Sequence, residues 1–219
     1  MTTATESDRR LDRAAEVIRD GGLVIVATET FYAIATDPFN EDSLKRVFRV
    51  KGRESDKPPA LIAATRAVVP PMVRRPDERL QALMDRFWPG SVTILFDPAV
   101  QVPLLLTGRG GKIGIRVPPM CPARRVASLG GGFITATSAN LSGGPDPDTV
   151  RAIPGDVLDA VDMVLDTGPT GGRRPSTVVD PVGYDLNILR EGAVPGAVLR
   201  NFYLRCLKRE EKLFEYNWN

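Results

Sequence analysis

Three cations stand close together in K-G-R-E-S-D-K-P-P: Lys51, Arg53 and Lys57. Gly52 and the pair Pro58-Pro59 limit the freedom of the loop that carries them. Three fixed cations suit a triphosphate better than they suit solvent. An ordinary explanation stands beside this one, because cations favour helix C-termini and a helical pattern ends just before Lys51. Ser138 and Asn140 leave the apolar run F-I-T-A-T and precede L-S-G-G-P. Open α/β sheets place ligands at the carboxyl ends of strands, and a hydroxyl and an amide there can bind phosphate or ribose. A Ser- or Asn-based turn explains the same residues. Arg116 lies inside I-G-I-R-V-P. Alternation puts Ile113, Ile115 and Val117 on one face and Gly114 and Arg116 on the other, so Arg116 is either solvated or buried against an anion. Thr28, Glu29, Thr30 and Tyr32 follow the apolar run G-G-L-V-I-V directly, where a packing strand would stop in Gly, Asn or Asp, unless a second strand simply follows. S-T-V-V-D, from Ser176, and I-L-R-E-G, with Arg190, are further candidates, each readable as a plain strand end.

The elements that carry these residues are legible as periodic runs. Ser7 is a candidate cap for a helix with Leu11, Ala14, Ala15 and Ile18 on one face, closed by Gly21-Gly22. A strand follows at residues 23–27. Asn40 caps a second helix with an apolar stripe of Leu44, Val47 and Phe48, and Asp77 a third with Leu80, Leu83, Met84 and Phe87 inward. Further strands are predicted at 60–64, 91–96, 113–117, 133–137, 161–165, 176–180 and 187–189, with a helix at 122–129. Helices and strands alternate at first and strands cluster later. This predicts an α/β domain over residues 7–200 with a mixed parallel and antiparallel sheet. The tail, 201–219, is rich in aromatics and charges and free of Pro and Gly. It is expected to be an amphipathic helix or poorly ordered.

Composition removes several classes of function. The 219 residues include 29 Lys+Arg and 27 Asp+Glu, and this balance gives no general attraction to nucleic acid or membrane. Any anion site must be a local cluster. The absence of histidine excludes His-based triads, His metal ligation and imidazole proton shuttling. Two distant cysteines suggest neither a disulfide framework nor a zinc site, and no metal ligands are assigned. No apolar run approaches membrane-spanning length, and the polar N-terminus lacks a signal-peptide core, so a cytoplasmic protein is expected.

The order of the motifs is more specific than any one of them. T-E-T-x-Y, K-G-R-x-x-x-K-P, F-W-P-G-x-x-T, I-R-V-P, T-S-A-N-L-S-G, S-T-V-V-D and I-L-R-E-G succeed one another along the chain. From about Leu11 to Gly196 the sequence closely resembles the YrdC-like family of threonylcarbamoyl-AMP synthases, in its short, single-domain form. The resemblance implies a twisted, open mixed sheet with flanking helices and a large concave basic cavity. It implies a nucleotidyltransferase that condenses L-threonine, bicarbonate and ATP, with Mg2+, to threonylcarbamoyl-AMP and pyrophosphate for the t6A modification of tRNA. It further implies tRNA or double-stranded RNA as a partner, and hand-over of product to the t6A transfer complex. By resemblance, Lys51 and Arg53 are catalytic. Lys51, Arg53, Lys57, Ser138, Asn140 and Arg190 hold ATP, and Thr30, Tyr32, Arg116 and Ser176 hold threonine, with Arg116 on its carboxylate. The chemistry needs no nucleophilic side chain, because a carbamate oxygen attacks the α-phosphorus, and positioning and charge neutralisation supply the catalysis.

Departures from the family pattern bear on the pocket. Ala33 and Ala35 stand where relatives carry glycine, Glu54 where they carry proline, and Ile62 where some carry histidine. Three other readings use the same residues: a relative that handles a different carbamoyl adenylate, an RNA-binding or ribosome-maturation protein without synthase activity, and a structural protein that has lost activity. The near-neutral charge argues against the second, since phosphate-backbone binding needs many cations.

Overall fold

The computed structural model describes residues 5–52, 57–172 and 174–215. Their elements run α1 (Glu6–Arg19), β1 (Val24–Ala27), β2 (Tyr32–Ala35), α2 (Glu41–Val50), β3 (Ala60–Ala63), α3 (Glu78–Phe87), β4 (Val92–Phe96) and α4 (Leu104–Thr107). They continue β5 (Ile113–Arg116), α5 (Pro122–Leu129), β6 (Phe133–Ser138), α6 (Gly155–Asp159), β7 (Met163–Leu165), β8 (Thr177–Val182), β9 (Asp185–Arg190) and α7 (Gly196–Glu215). Among the described residues, nine strands form one open sheet in the order β7-β1-β2-β6-β3-β5-β4-β8-β9. The sheet is mixed. β1–β7, β3–β5 and β4–β8 are parallel, and the other five neighbouring pairs are antiparallel.

Local sequence explains most boundaries and corrects one. Thr5, not Ser7, caps α1: its hydroxyl accepts from the Asp8 amide while the Asp8 carboxylate accepts from the Thr5 amide. This reciprocal box satisfies two otherwise orphaned donors, whereas Ser7 is already the second residue of the helix. Asn40 and Asp77 cap α2 and α3 as their positions predict. The polar stretch after β1 is a tight turn, Thr28 to Phe31, and a second strand does follow, pairing Val24 with Ala35 and Ala27 with Tyr32. The last helix begins at Gly196 and runs through residue 200. It buries Leu199 and Tyr203 in the core, so the domain's packing extends into the tail.

Two-residue alternation divides the core between the faces of the sheet. On one face Ile94, Ile113, Ile115 and Val179 pack beneath α3 and α7. On the other, Val24, Val26, Ala35, Ile62 and Ile134 pack beneath α1 and α5, which meet them through Ala14, Ala15, Ala123 and Ala127. The helices approach closely because those contact residues are small. Among the described residues, the rest of this second face is not part of that cluster. Ala60 of β3, Thr93 and Leu95 of β4, Gly114 and Arg116 of β5, and Val178 and Asp180 of β8 line a cavity instead.

Candidate active site

The cavity has a volume of about 550 Å³, within the range of small-molecule sites. Its floor is the cavity-lining half of the sheet face. The residues there are small where the cavity is deep: Ala33, Ala60, Gly114 and Ala136 all line it. One wall is the turn between β1 and β2, which presents Thr28, Thr30 and Tyr32. The loop 107–112, T-G-R-G-G-K, also lines the cavity and presents Arg109 and Lys112. The cavity gathers Lys57, Arg109, Lys112, Arg116 and Arg190 against Asp146 and Asp180. Lys112 is already spoken for, since its Nζ lies 2.6 Å from Asp180 Oδ1.

Seven of the ten residues singled out in the sequence line this cavity: Thr30, Tyr32, Lys57, Arg116, Ser138, Ser176 and Arg190. Lys51 and Asn140 do not. Lys51 is 3% exposed and donates from Nζ to the Ser138 carbonyl at 2.6 Å and to Asn140 Oδ1 at 2.5 Å. Asn140 Oδ1 also accepts from the Ser138 hydroxyl at 2.7 Å, and its Nδ2 donates to the Gly144 carbonyl at 2.6 Å. The S-A-N motif and Lys51 thus form one buried network behind the wall, and Ser138 is the member that reaches the cavity. Arg53 and Glu54 lie outside the described residues.

At the other end, Ser176 and Arg190 form a second fixed group. Arg190 donates to the Ser176 carbonyl from Nε at 3.1 Å and from Nη2 at 2.9 Å, and Nη2 also meets the Ser176 hydroxyl at 3.0 Å. The same hydroxyl is 2.9 Å from the Thr93 hydroxyl. Burial pushes the Arg190 pKa down, and the nearby positive charge of Arg116 pushes it further the same way, with Asp146 opposing. Arg116 is 6% exposed, so it is the buried rather than the solvated arginine of the two alternatives. Its Nε lies 3.1 Å from Glu29 Oε1.

The T-E-T turn is held from outside by a strap, residues 166–172. The Tyr32 hydroxyl donates to the Gly168 carbonyl at 2.7 Å, and the Thr170 hydroxyl to the Thr30 carbonyl at 2.8 Å. Burial raises the Tyr32 pKa, so the phenol stays a donor. A Cβ on Gly172 would lie 2.2 Å from the Thr30 carbonyl oxygen, so glycine is required for the strap to lie against the turn. Ala33 and Ala35 sit in regular strand. No non-glycine residue among those described has positive φ, so glycine is not needed at either for conformation. Ala33 borders the cavity, whereas Ala35 and Ile62 are core.

The glycine-rich loop 107–112 was not singled out by its sequence. Its signal was available, because two cations among three glycines suit close approach to an anion. Gly108 and Gly111 have φ of 53° and 67° and let the loop turn back over the cavity. Among the described residues, no cluster of three or more acidic or cysteine side chains forms a metal site. No helix among them is long and apolar enough to cross a membrane.

The chain resembles known proteins over most of its length. The Sua5/YciO/YrdC family model, described as "Telomere recombination", matches residues 16–192. The chain is 32% identical over 182 residues to the threonylcarbamoyl-AMP synthase of Pyrococcus abyssi, covering 83% of this chain and 54% of that protein. It thus spans about half the length of that relative. It is 32% identical over 183 residues to the threonylcarbamoyl-AMP synthase of Thiobacillus denitrificans, covering 82% of this chain and 95% of that protein. Among solved structures, P. abyssi Sua5 complexed with L-threonine matches with a TM-score of 0.84 and 30% identity, over 91% of this chain and 58% of that one.

Proposed function

The chain belongs to the Sua5/YciO/YrdC family, and from that premise we propose that it is a threonylcarbamoyl-AMP synthase, condensing L-threonine, bicarbonate and MgATP to threonylcarbamoyl-AMP and pyrophosphate. One observation carries the reading: a buried arginine, Arg116, faces a cavity of about 550 Å³ that also presents the hydroxyls of Thr30 and Ser176 and the cations Lys57 and Arg190. A single amino acid needs one fixed guanidinium for its carboxylate and hydroxyl partners for its small polar side chain. A triphosphate needs dispersed cations near the mouth.

In this reading threonine lies with its carboxylate on Arg116 and its side chain toward Thr30 and Ser176. Its amine attacks the bicarbonate carbon, a C–O bond breaks and water leaves, giving a carbamate. A carbamate oxygen then attacks the α-phosphorus of ATP, and pyrophosphate leaves. Lys57, Arg190 and the Ser138 hydroxyl orient the phosphates and offset the charge that develops on them. Lys51 acts one layer back, fixing Ser138 and Asn140 through its buried ammonium. Magnesium enters as part of the nucleotide substrate. Arg53 belongs to the same triphosphate group by its place in K-G-R. Transfer of the adenylate to tRNA modification follows as the step that consumes the product.

The test is pyrophosphate release from MgATP with threonine and bicarbonate each omitted in turn. Release that requires both is expected. Release independent of threonine would reject threonine as acceptor and leave another carbamoyl adenylate as the product.

A further inference from the structure

We propose that Glu29 is a positioning residue: it holds the Arg116 guanidinium at the cavity wall, against repulsion from Arg190, so that Arg116 can receive the carboxylate of the amino-acid substrate. The inference rests on the reading of threonine as that substrate and adds to it a residue that does not itself line the cavity.

The two side chains come from distant parts of the sheet. Glu29 sits in the turn between β1 and β2, and Arg116 ends β5, with β6 and β3 in between. Their side chains are 9% and 7% exposed and meet at 3.1 Å. The contact is a charge pair without the usual hydrogen bonds. Among the described residues, neither Glu29 oxygen nor Arg116 Nε has a hydrogen-bond partner. Taking a carboxylate and a guanidinium out of water costs several kcal/mol per ion unless hydrogen bonds make it good. A well-packed apolar pair would serve stability as well or better, so stability does not account for this one.

Position accounts for it. Arg116 lines the cavity and Glu29 does not, so a ligand meets the cation and not the anion. Among the described residues, Arg190 is coupled by charge to Arg116, and the Cys121 thiol at the start of α5 to both members of the pair. Burial raises the Cys121 pKa first, and the Glu29 charge raises it further, so the thiol stays neutral and offers the pair no competing charge. Arg190 is a competitor. It is tied to Ser176 by three hydrogen bonds, and its pKa is pushed down first by burial and then by the positive charge of Arg116. Like charges disfavour one another, and a buried guanidinium without a counter-charge is costly. Glu29 is the counter-charge that keeps Arg116 in place while the cavity is empty. A bound carboxylate then meets a guanidinium already fixed.

Equilibrium binding of L-threonine and of MgATP, measured separately, tests this on the full chain and on Glu29→Gln, Glu29→Asp, Arg116→Met and the Glu29→Gln/Arg116→Met double variant. Glu29→Gln is expected to weaken threonine about tenfold or more and to leave MgATP within about twofold. Glu29→Asp, which keeps the charge, should recover part of the loss. In the Arg116→Met background the Gln change should add less than about twofold, because no guanidinium remains to be placed. Threonine affinity unchanged in Glu29→Gln would overturn the proposal. So would an equal loss with or without Arg116, or a loss of threonine and MgATP together. A parent chain that binds no threonine would overturn the substrate reading itself, an outcome distinct from the others.

Discussion

One face of the sheet is used in two ways, and the residues at equivalent positions show why. Under α1 and α5, the inward positions are Val24, Val26, Ala35, Ile62 and Ile134, and alanines on both helices let the layers close. A few strands along, the same face offers Ala60, Thr93, Gly114 and Val178 to the cavity. Small residues appear in both halves with opposite consequences. Beneath a helix they allow close approach, and at the cavity they leave room for a substrate. Arg116 stands at the border: it pairs in register with Ile62, a core residue, yet lines the cavity. A cation placed there is desolvated by the covered half and presented by the open half, which is what recognition of a carboxylate requires.

Substitutions should separate the halves, and the largest effect belongs to the covered one. Ile134→Ala removes a fully buried side chain beneath the helices and is expected to cost about 3 kcal/mol of stability. Its kcat/KM under native conditions should stay within about twofold. Chemical denaturation paired with steady-state kinetics reads both, and a large kinetic defect without lost stability would break the division. Lys57→Ala makes the converse change, on an exposed residue that lines the cavity. It should lower kcat/KM for MgATP about a hundredfold, with a melting temperature close to the parent's. Tyr32→Phe lies between the halves. Losing the bond to the Gly168 carbonyl should cost about 1 kcal/mol and raise KM for threonine more than KM for ATP, because the strap also steadies Thr30. The smallest effect is expected for Ala33→Gly. The strand is regular there, so the change should cost about 0.5 kcal/mol of stability through backbone entropy. Activity should stay within about twofold, and a large gain would show that the alanine constrains the pocket.

Much of this arrangement was legible before any coordinates. Alternation in I-G-I-R-V-P placed Arg116 opposite Ile113 and Ile115, and the hydrophobic periods located the main helices and strands. The mixed sheet followed from the change from alternating elements to clustered strands. What alternation did not reveal was burial: it put Arg116 off the core face without saying whether water or a cavity lay there. Lys51 was readable as a cation after a helix. Its ammonium is instead satisfied by Ser138 and Asn140, residues nearly ninety positions away, and no local pattern encodes that closure. The loop 107–112 was passed over because a run of glycines has no period to read. Thr5 took the cap from Ser7 because the partner that decides it, Asp8, lies three residues on and both ends of the box must match.

The central claim is that the cavity-lining half of the sheet face is the substrate site. A second concavity, bordered by Arg46, Arg49, Gly52, Leu141 and Asp156, is the rival location. Amide hydrogen exchange with and without threonine plus MgATP distinguishes them directly. The account predicts added protection in residues 28–32, 107–116 and 174–178, with α1 and α5 unchanged. Protection centred on residues 46–52 and 156–160, with the T-E-T turn and β5 unaffected, would contradict it.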